Sequence, residues 1–221
     1  MTGRICPQDT IPRLMRFFLD SSSVEDARKI RDWGLLDGVW LSADSAARAQ
    51  IDYRRAIRDV AAVCDGPVCV EPAAADPKGM YKDARELAKL GKDVVIQLPI
   101  SPNGMRVARL LAEDQVAVCA SGCYSAAQAL IAGKASVAYV APAVGPLDEV
   151  GAIGMDLVEQ VIRIYDNYGF QTQILVSQMR NPIHVLDAAL MGADVATVPP
   201  EVFEQLFRHP LTEELLAGRE K

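Results

Sequence analysis

The feature that most constrains the fold of this chain is an eightfold alternation of short apolar runs with amphipathic helical segments. The runs are rich in β-branched residues and almost continuously apolar, which is typical of parallel strands buried on both faces. The predicted strands are residues 17–21, 39–41, 68–72, 94–99, 116–121, 137–142, 173–177 and 195–199. Helix-start signals lie between strands, for example Ser23 with Asp26 as a capping box and Asn181 followed by Pro182.

Eight strand-then-helix units in 221 residues predict an α/β chain that folds as one closed (β/α)₈ TIM barrel, a single domain. Residues 1–15 are predicted to be a lead-in segment and residues 16–221 the barrel. The alternative is an open, doubly wound sheet, which usually carries a Gly-rich phosphate turn after its first strand. That turn reads Asp20-Ser21-Ser22-Ser23 here, so the barrel is favoured.

Composition excludes several classes of function. The net charge of −6 argues against nucleic-acid binding, which needs a clustered excess of Lys and Arg. No apolar run approaches the roughly 20 residues of a membrane span, and the first ten residues lack the apolar core of a secretory signal, so a cytoplasmic location is expected. The five cysteines show no zinc-site spacing and are expected to be reduced thiols. No metal and no cofactor are predicted.

Four predicted strands end in proline, at Pro72, Pro99, Pro142 and Pro199, which marks where each hydrogen-bond ladder stops. These stops lie at the carboxyl ends of strands, the face on which TIM barrels build active sites. Candidate site residues are therefore the side chains at these ends: Asp20, Trp40, Ser42, Glu71, Gln97, Ser121, Cys123, Ser177, Gln178 and Arg180.

Two groupings on this face suggest chemistry. Asp20 and Glu71 come from strands two apart, so their carboxylates could meet, and repulsion would then raise one pKa and leave an acid beside a base. The alternative is that hydrogen bonds hold each carboxylate in a purely positioning role. Arg180 precedes a helix start at Asn181 and suits a phosphate or carboxylate, unless it is simply a surface arginine.

Other reactive side chains are weaker candidates. Cys123 has no histidine nearby in sequence, so a packed thiol is favoured over a nucleophile. His184 and His209 lie in predicted helices and are expected to be surface or packing residues.

Three long segments resemble a known family. FFLDSSSVEDARKIRDWGLLDGV is similar to the opening of the small transaldolases and fructose-6-phosphate aldolases. The segment from GMYKDARELAKLGKDVVIQLPISPNG to SVAYVAP is similar to the middle of these proteins, and NPIHVLDAALMGADVATVPPEVFEQLFRHPLT to their end. The resemblance implies a barrel that assembles as a homo-oligomer, a pentamer or decamer, and binds a small-molecule, sugar-phosphate-like ligand. The charge and hydropathy described above predict no nucleic-acid and no membrane partner.

The same resemblance implies that the family's reaction centre has changed here. The family forms an imine through a lysine at the end of strand four, in a segment like VVKVP, whereas this chain reads VVIQLP with Gln97 in the lysine's place. An amide cannot form an imine, because its nitrogen lone pair is delocalised into the carbonyl. The substrate-holding asparagine becomes Ser42, with Trp40 beside it, and the water-positioning tyrosine becomes Ala143.

Compared with the same family, this chain changes some further site positions and keeps others. A phosphate-binding arginine becomes Pro146, and a serine after strand seven becomes Gln178. Asp20 matches the strand-one acid, and Glu71 stands where the family has glutamate or glutamine. By the same resemblance, Ser121 keeps the hydroxyl of a threonine, and Arg180 matches a basic residue of the phosphate loop.

Three hypotheses for function follow. The first is a divergent family member that binds a small polar, sugar-phosphate-like ligand and works without an imine, with Asp20 and Glu71 transferring protons. The second is an inactive pseudoenzyme with a structural or regulatory role in a ring, favoured by the apolar residues Trp40, Leu41, Ala143 and Pro146. The third is a true transaldolase or aldolase that uses another amine, for which Lys78 is the candidate.

Overall fold

The computed structural model describes residues 14–219, in which eight parallel strands close into a barrel. The strands are β1 Arg16–Asp20, β2 Gly38–Leu41, β3 Val68–Val70, β4 Val94–Pro99, β5 Val118–Cys123, β6 Tyr139–Pro142, β7 Gln173–Val176 and β8 Val195–Val198. Each strand pairs with its neighbours in sequence, and β8 pairs with β1 to close the barrel. The predicted TIM barrel is confirmed, and the open-sheet alternative is wrong.

Eleven helices lie among the described residues. They are α1 Val24–Asp32, α2 Ala43–Arg48, α3 Tyr53–Ala61, α4 Pro77–Ala88, α5 Pro102–Glu113, α6 Ala126–Lys134, α7 Val144–Glu149, α8 Gly154–Tyr168, α9 Pro182–Met191, α10 Pro200–Leu206 and α11 Pro210–Ala217. Both predicted helix starts are confirmed, since Ser23 caps α1 through the Asp26 N–H and Asn181 caps α9 through the Ile183 and His184 N–H groups. The capping box at Ser23 is only half formed, because the Ser23 N–H donates to the Ser21 hydroxyl and not to the Asp26 carboxylate. Of the predicted lead-in, only Leu14 and Met15 are among the described residues.

The core has two layers because strand residues alternate between the two faces of the barrel. The larger layer lies between strands and helices and includes Leu19, Leu41, Ile96 and Val198. The smaller layer fills the barrel interior, with members Phe18, Trp40, Cys69, Val95, Cys119, Tyr139, Ala141, Leu175 and Val195. Trp40 therefore points into the barrel and not toward its outer surface.

The ends of the strands set the position of the candidate site. β4 and β6 end at Pro99 and Pro142, and Pro72 and Pro199 follow β3 and β8 within two residues, as the sequence predicted. Between residues 14 and 219, no helix combines the length and the hydropathy needed to span a bilayer. In the same range no cluster of three or more His, Cys, Asp or Glu side chains is arranged to hold a metal ion.

Candidate functional site

A polar cavity of about 720 Å³ opens at the carboxyl ends of the strands. The segments that follow β2, β3, β6, β7 and β8 contribute to it, together with residues at the carboxyl ends of β1, β2, β4 and β5. The residues that line it are Asp20, Trp40, Ser42, Asp44, Ser45, Arg48, Glu71, Gln97, Ser121, Gly122, Ala143, Ser177, Gln178, Met179, Arg180, Pro199, Pro200 and Glu201. Nine of the ten candidate residues named from the sequence, all but Cys123, therefore line one cavity, referred to below as the mouth.

Gln97 lines the mouth near the carboxyl end of β4. Its side chain is only 3% exposed, and its Nε2 is buried without a hydrogen-bond partner among the described residues. A buried amide group that makes no hydrogen bond is unfavourable, because it has given up its bonds to water. Gln97 is thus a polar group with unused hydrogen-bonding capacity on the wall of a cavity.

Asp20, at the end of β1, has a raised pKa. Burial, followed by repulsion from the Glu201 carboxylate, raises the pKa of Asp20 from 3.8 to about 6, while the Arg48 and Arg180 guanidinium groups lower it in part. The sequence left open whether Asp20 and Glu71 repel each other; the carboxylate whose repulsion raises the pKa of Asp20 is Glu201. An acid with a pKa near 6 can both give and accept a proton close to neutral pH.

Glu71 is held by hydrogen bonds, as the positioning alternative for this residue predicted. Its Oε1 accepts a hydrogen bond of 2.7 Å from the N–H of Ala43, the first residue of α2. Its own N–H donates to the Tyr53 hydroxyl at 2.8 Å. Since α2 begins beside the mouth, Glu71 fixes the helix that carries Arg48. The other carboxylate oxygen, Oε2, accepts no hydrogen bond from residues 14–219.

Arg180 lies on the β7–α9 loop and is more than half exposed. Its guanidinium donates to Glu149 of α7 at 2.8 Å, so the cation faces the mouth with a partner already in place. Gln178 of the same loop has a left-handed backbone, with φ of 57°. Arg48, at the end of α2, is the second cation of the mouth and makes no ion pair with the described residues.

Ser42, Ser121 and Trp40 complete the predicted set. Ser42 caps α2, since its Oγ accepts a hydrogen bond of 3.1 Å from the Ser45 N–H. Ser121 lies on β5 and lines the mouth beside Gln97. Trp40 is 8% exposed and closes the floor from inside the barrel.

A second, smaller cavity of about 370 Å³ adjoins the mouth on the β3–β4 side. It shares Glu71, Gln97 and Ser121 with the mouth and is otherwise lined by Pro72, Ala73, Ala74, Ala75, Met80, Pro99, Ser101 and Asn103. Gln97 therefore faces a continuous groove with a charged part and a part of small side chains.

The other reactive groups do not reach this groove. Lys78 is exposed in the first turn of α4, and no lysine among residues 14–219 lines the mouth or the second cavity. Cys123 is fully buried, and burial raises the pKa of its thiol to about 11. The prediction that Cys123 is a packed thiol agrees with this environment.

Sequence reasoning missed Arg48 and Glu201. Glu201 follows Pro199 and Pro200 directly, so the proline stop after β8 was an available signal for it. Arg48 is six residues into the segment after β2, at the end of a short helix, and no local pattern marks it. Leu41 and Pro146, which the pseudoenzyme hypothesis counted as apolar residues of the mouth, are absent from its described lining, and Leu41 packs in the outer core.

Comparisons with known proteins agree with the resemblance noted in the sequence. A family model described as transaldolase/fructose-6-phosphate aldolase matches residues 41–221. A probable transaldolase of Hydrogenobaculum sp. is 42% identical over 199 residues, which cover 90% of this chain and 92% of the relative. A probable transaldolase of Aquifex aeolicus is 40% identical over 199 residues, again 90% of this chain and 92% of the relative.

Solved structures support the fold alone. A thiamine phosphate pyrophosphorylase from Pyrococcus furiosus matches with a TM-score of 0.61 at 17% identity, over 85% of this chain and 86% of that one. A mandelate oxidase matches with a TM-score of 0.58 at 17% identity, over 80% of this chain and 59% of that one. Many reactions use this fold, so neither match indicates a substrate. The family model and the two relatives do identify the lineage: the chain belongs to the transaldolase/fructose-6-phosphate aldolase family.

Proposed function

We propose that this transaldolase-like barrel binds a small sugar-phosphate-like ligand in the mouth and acts on it without an imine. The observation that carries the proposal is Gln97, an amide with an unpartnered Nε2, in a cavity that no described lysine lines. Nucleophilic catalysis on a ketose needs an amine with a free lone pair. Lys78 is exposed and lies outside the mouth, which argues against the hypothesis that this lysine forms the imine instead.

The charges of the mouth favour a ligand with many hydroxyl groups and few negative charges. Four carboxylates line the cavity against two guanidinium groups: Asp20, Asp44, Glu71 and Glu201 against Arg48 and Arg180. Carboxylate and amide oxygens accept hydrogen bonds from hydroxyl groups. A ligand with one anionic end, bound at an arginine, and hydroxyl groups over Asp20 and Gln97 fits this arrangement.

Asp20 supplies the chemistry in this proposal. With its pKa near 6, the carboxyl group exists in both protonation states near neutral pH and can move a proton to or from a bound ligand. Glu201 keeps that pKa high by repulsion, and Glu71 holds α2 in place through Ala43. The reaction class is proton transfer, as in an isomerase, dehydratase or lyase that uses no covalent intermediate.

The experiment that tests the proposal is imine trapping. The purified protein is incubated with fructose 6-phosphate or dihydroxyacetone, borohydride is added, and the intact mass is measured. The wild-type chain should show no adduct. The Gln97→Lys variant should show one at position 97 by peptide mapping, because a buried amine loses its proton more easily and becomes a nucleophile.

An adduct on Lys78 or another lysine of the wild-type chain would overturn the imine-free mechanism and restore an aldolase with a relocated amine. The Gln97→Lys variant is the positive control, since it shows that the cavity admits the ketose. Binding without an adduct is then measured by calorimetry with fructose 6-phosphate.

The pseudoenzyme hypothesis is the second candidate. Trp40, Ala143 and Met179 give the mouth some apolar lining, but Leu41 and Pro146 do not contribute to it. A chain selected only for folding has no use for a buried unpartnered amide or for an acid with a raised pKa. Exposed apolar side chains on α10 and α11, among them Leu206 and Leu215, would help to hold together the homo-oligomer that we also propose.

Removal of the Glu149 carboxylate should strengthen the binding of an anionic ligand. In the free protein Glu149 competes for the Arg180 guanidinium, so Glu149→Gln should lower the Kd for fructose 6-phosphate by roughly two- to fivefold, the range of an exposed ion pair. Calorimetry measures the change. Glu159→Gln is the matched control, because it breaks an exposed pair with Arg163 on α8 and should leave the Kd unchanged. Equal Kd values for both variants would remove Arg180 from the site.

A further inference from the structure

His184 joins two elements next to the mouth through its two ring nitrogens. Nδ1 accepts a hydrogen bond of 3.3 Å from the Arg180 backbone N–H, and Nε2 lies 3.1 Å from Oδ2 of Asp148 in α7. The side chain is only 12% exposed. His184 itself is the third residue of α9, so it links the start of this helix, the Arg180 loop and α7.

The partners determine which nitrogen carries the proton. A backbone N–H can only donate, so Nδ1 must be the unprotonated acceptor. Nε2 then carries the hydrogen of the neutral ring and donates it to Asp148. Asp148 is itself fixed, since its Oδ1 accepts a hydrogen bond of 2.8 Å from the Gly154 N–H. Both nitrogens of His184 are therefore used, one for each partner.

The loop that His184 contacts is also held by backbone bonds. The Val144 N–H donates to the Ser177 carbonyl at 3.1 Å, and the Gly145 N–H donates to the Gln178 carbonyl at 3.2 Å. Gln178 has φ of 57°, a conformation that residues with a Cβ rarely adopt. Arg180 lies two residues after Gln178. Within residues 14–219, the backbone N–H of Arg180 donates its hydrogen bond to His184.

The start of α7 packs closely against the same loop. A Cβ added at Gly145 would come within 2.6 Å of the Gln178 carbonyl oxygen and 2.7 Å of the Arg180 Nε. The guanidinium of Arg180 therefore passes directly over Gly145 on its way to the mouth. A small shift of the loop would move this cation relative to the cavity.

We propose that His184 is a positioning residue that sets where Arg180 presents its cation to the mouth. The inference rests on the proposed function, in which Arg180 binds the anionic end of the ligand. The acceptor at Nδ1 holds the Arg180 backbone against α9, and the Asp148 bond fixes the ring that provides this acceptor. Without the acceptor, the strained loop relaxes and the guanidinium no longer has one defined position over the cavity.

Two substitutions each remove one of the two hydrogen bonds of the His184 ring and keep the other. In His184→Asn the side-chain oxygen takes the place of Nδ1, so the acceptor for Arg180 is kept and the Asp148 bond is lost. In His184→Gln the amide nitrogen takes the place of Nε2, so the Asp148 bond is kept and the acceptor is lost. If His184 only fastened α9 to α7, His184→Gln would be the milder change. Positioning of Arg180 requires the opposite order.

The first readout uses the ligand-free protein: hydrogen exchange of the Arg180 amide, followed by mass spectrometry at residue resolution. Exchange should be about fivefold faster in His184→Gln, the effect of losing one neutral hydrogen bond, and within twofold of wild type in His184→Asn. The second readout is the Kd for fructose 6-phosphate, with Arg180→Met as reference. His184→Gln should weaken binding by about fivefold, while His184→Asn should bind like wild type.

Unchanged exchange in His184→Gln, or the reverse order of the two variants, overturns the inference. The inference is also overturned if hydrogen exchange at the Arg180 amide follows the expected order but both variants bind fructose 6-phosphate as tightly as wild type does. If Arg180→Met itself binds as wild type does, the anionic arm of the proposed function fails. A wild-type protein that does not bind fructose 6-phosphate also counts against the proposed function, and the exchange order alone then decides whether His184 holds the loop.

Discussion

Asp20→Asn should raise the free energy of unfolding by about 2–3 kcal/mol at pH 7.5 and leave it almost unchanged at pH 3.5. Burial, and then repulsion from Glu201, raises the pKa of the folded-state carboxyl from 3.8 to about 6. Well below pH 3.8 the group is protonated in both states and costs nothing. As the pH rises from 3.8 to about 6, the unfolded chain releases its proton first, so folding stability falls. Above about 6 the full difference remains, and asparagine avoids it.

Urea unfolding at the two pH values measures this effect. Asp166→Asn is the matched control, because Asp166 is exposed on α8 and the same change there should stay within about 0.5 kcal/mol. A second variant, Glu201→Gln, should give a smaller gain of the same sign at pH 7.5, since it removes only the repulsive part. Equal stability of wild type and Asp20→Asn at both pH values would contradict a raised pKa and the proton-transfer role built on it.

The fold was predictable because its determinants are local. Each strand is an almost continuous apolar run, and several strands end in proline, as β4 does at Pro99, or are followed directly by a helix cap, as β2 is by Ser42. Once a chain alternates strand and helix eight times, right-handed connections leave few topologies. The carboxyl ends then gather on one face, and the side chains of Asp20, Gln97 and Arg180 line one cavity there.

The pairing of charges inside the mouth was not predictable in the same way. Strand order indicates which residues share the face, but contact depends on side-chain direction and on helices that follow the strands. Glu71 turns toward the start of α2 and bonds to Ala43, while Glu201 reaches Asp20 from the first turn of α10. Arg48 is the last residue of α2 and reaches the mouth from there. Its place in the lining depends on how α2 packs in three dimensions, which the local sequence does not indicate.

Gln97→Met should stabilise the protein by about 1–2 kcal/mol and weaken the binding of fructose 6-phosphate at least tenfold. The Nε2 of Gln97 is buried without a partner, and the cost of such a group is about 1–3 kcal/mol. Methionine has nearly the same length and flexibility and removes both polar atoms, so it should fill the space without strain. Calorimetry gives the Kd, and urea unfolding gives the stability.

The two readouts together decide between the leading hypotheses for function. A gain in stability with a loss of binding means that the amide is kept at the expense of folding because a ligand satisfies it. A gain in stability with unchanged binding means that nothing in the mouth uses the amide, which favours the pseudoenzyme. Gln205→Met is the control, because Gln205 is exposed on α10 and the change should alter neither quantity. If Gln97→Met lowers stability, the amide makes bonds inside the barrel that support the fold, and its role as a ligand group is wrong.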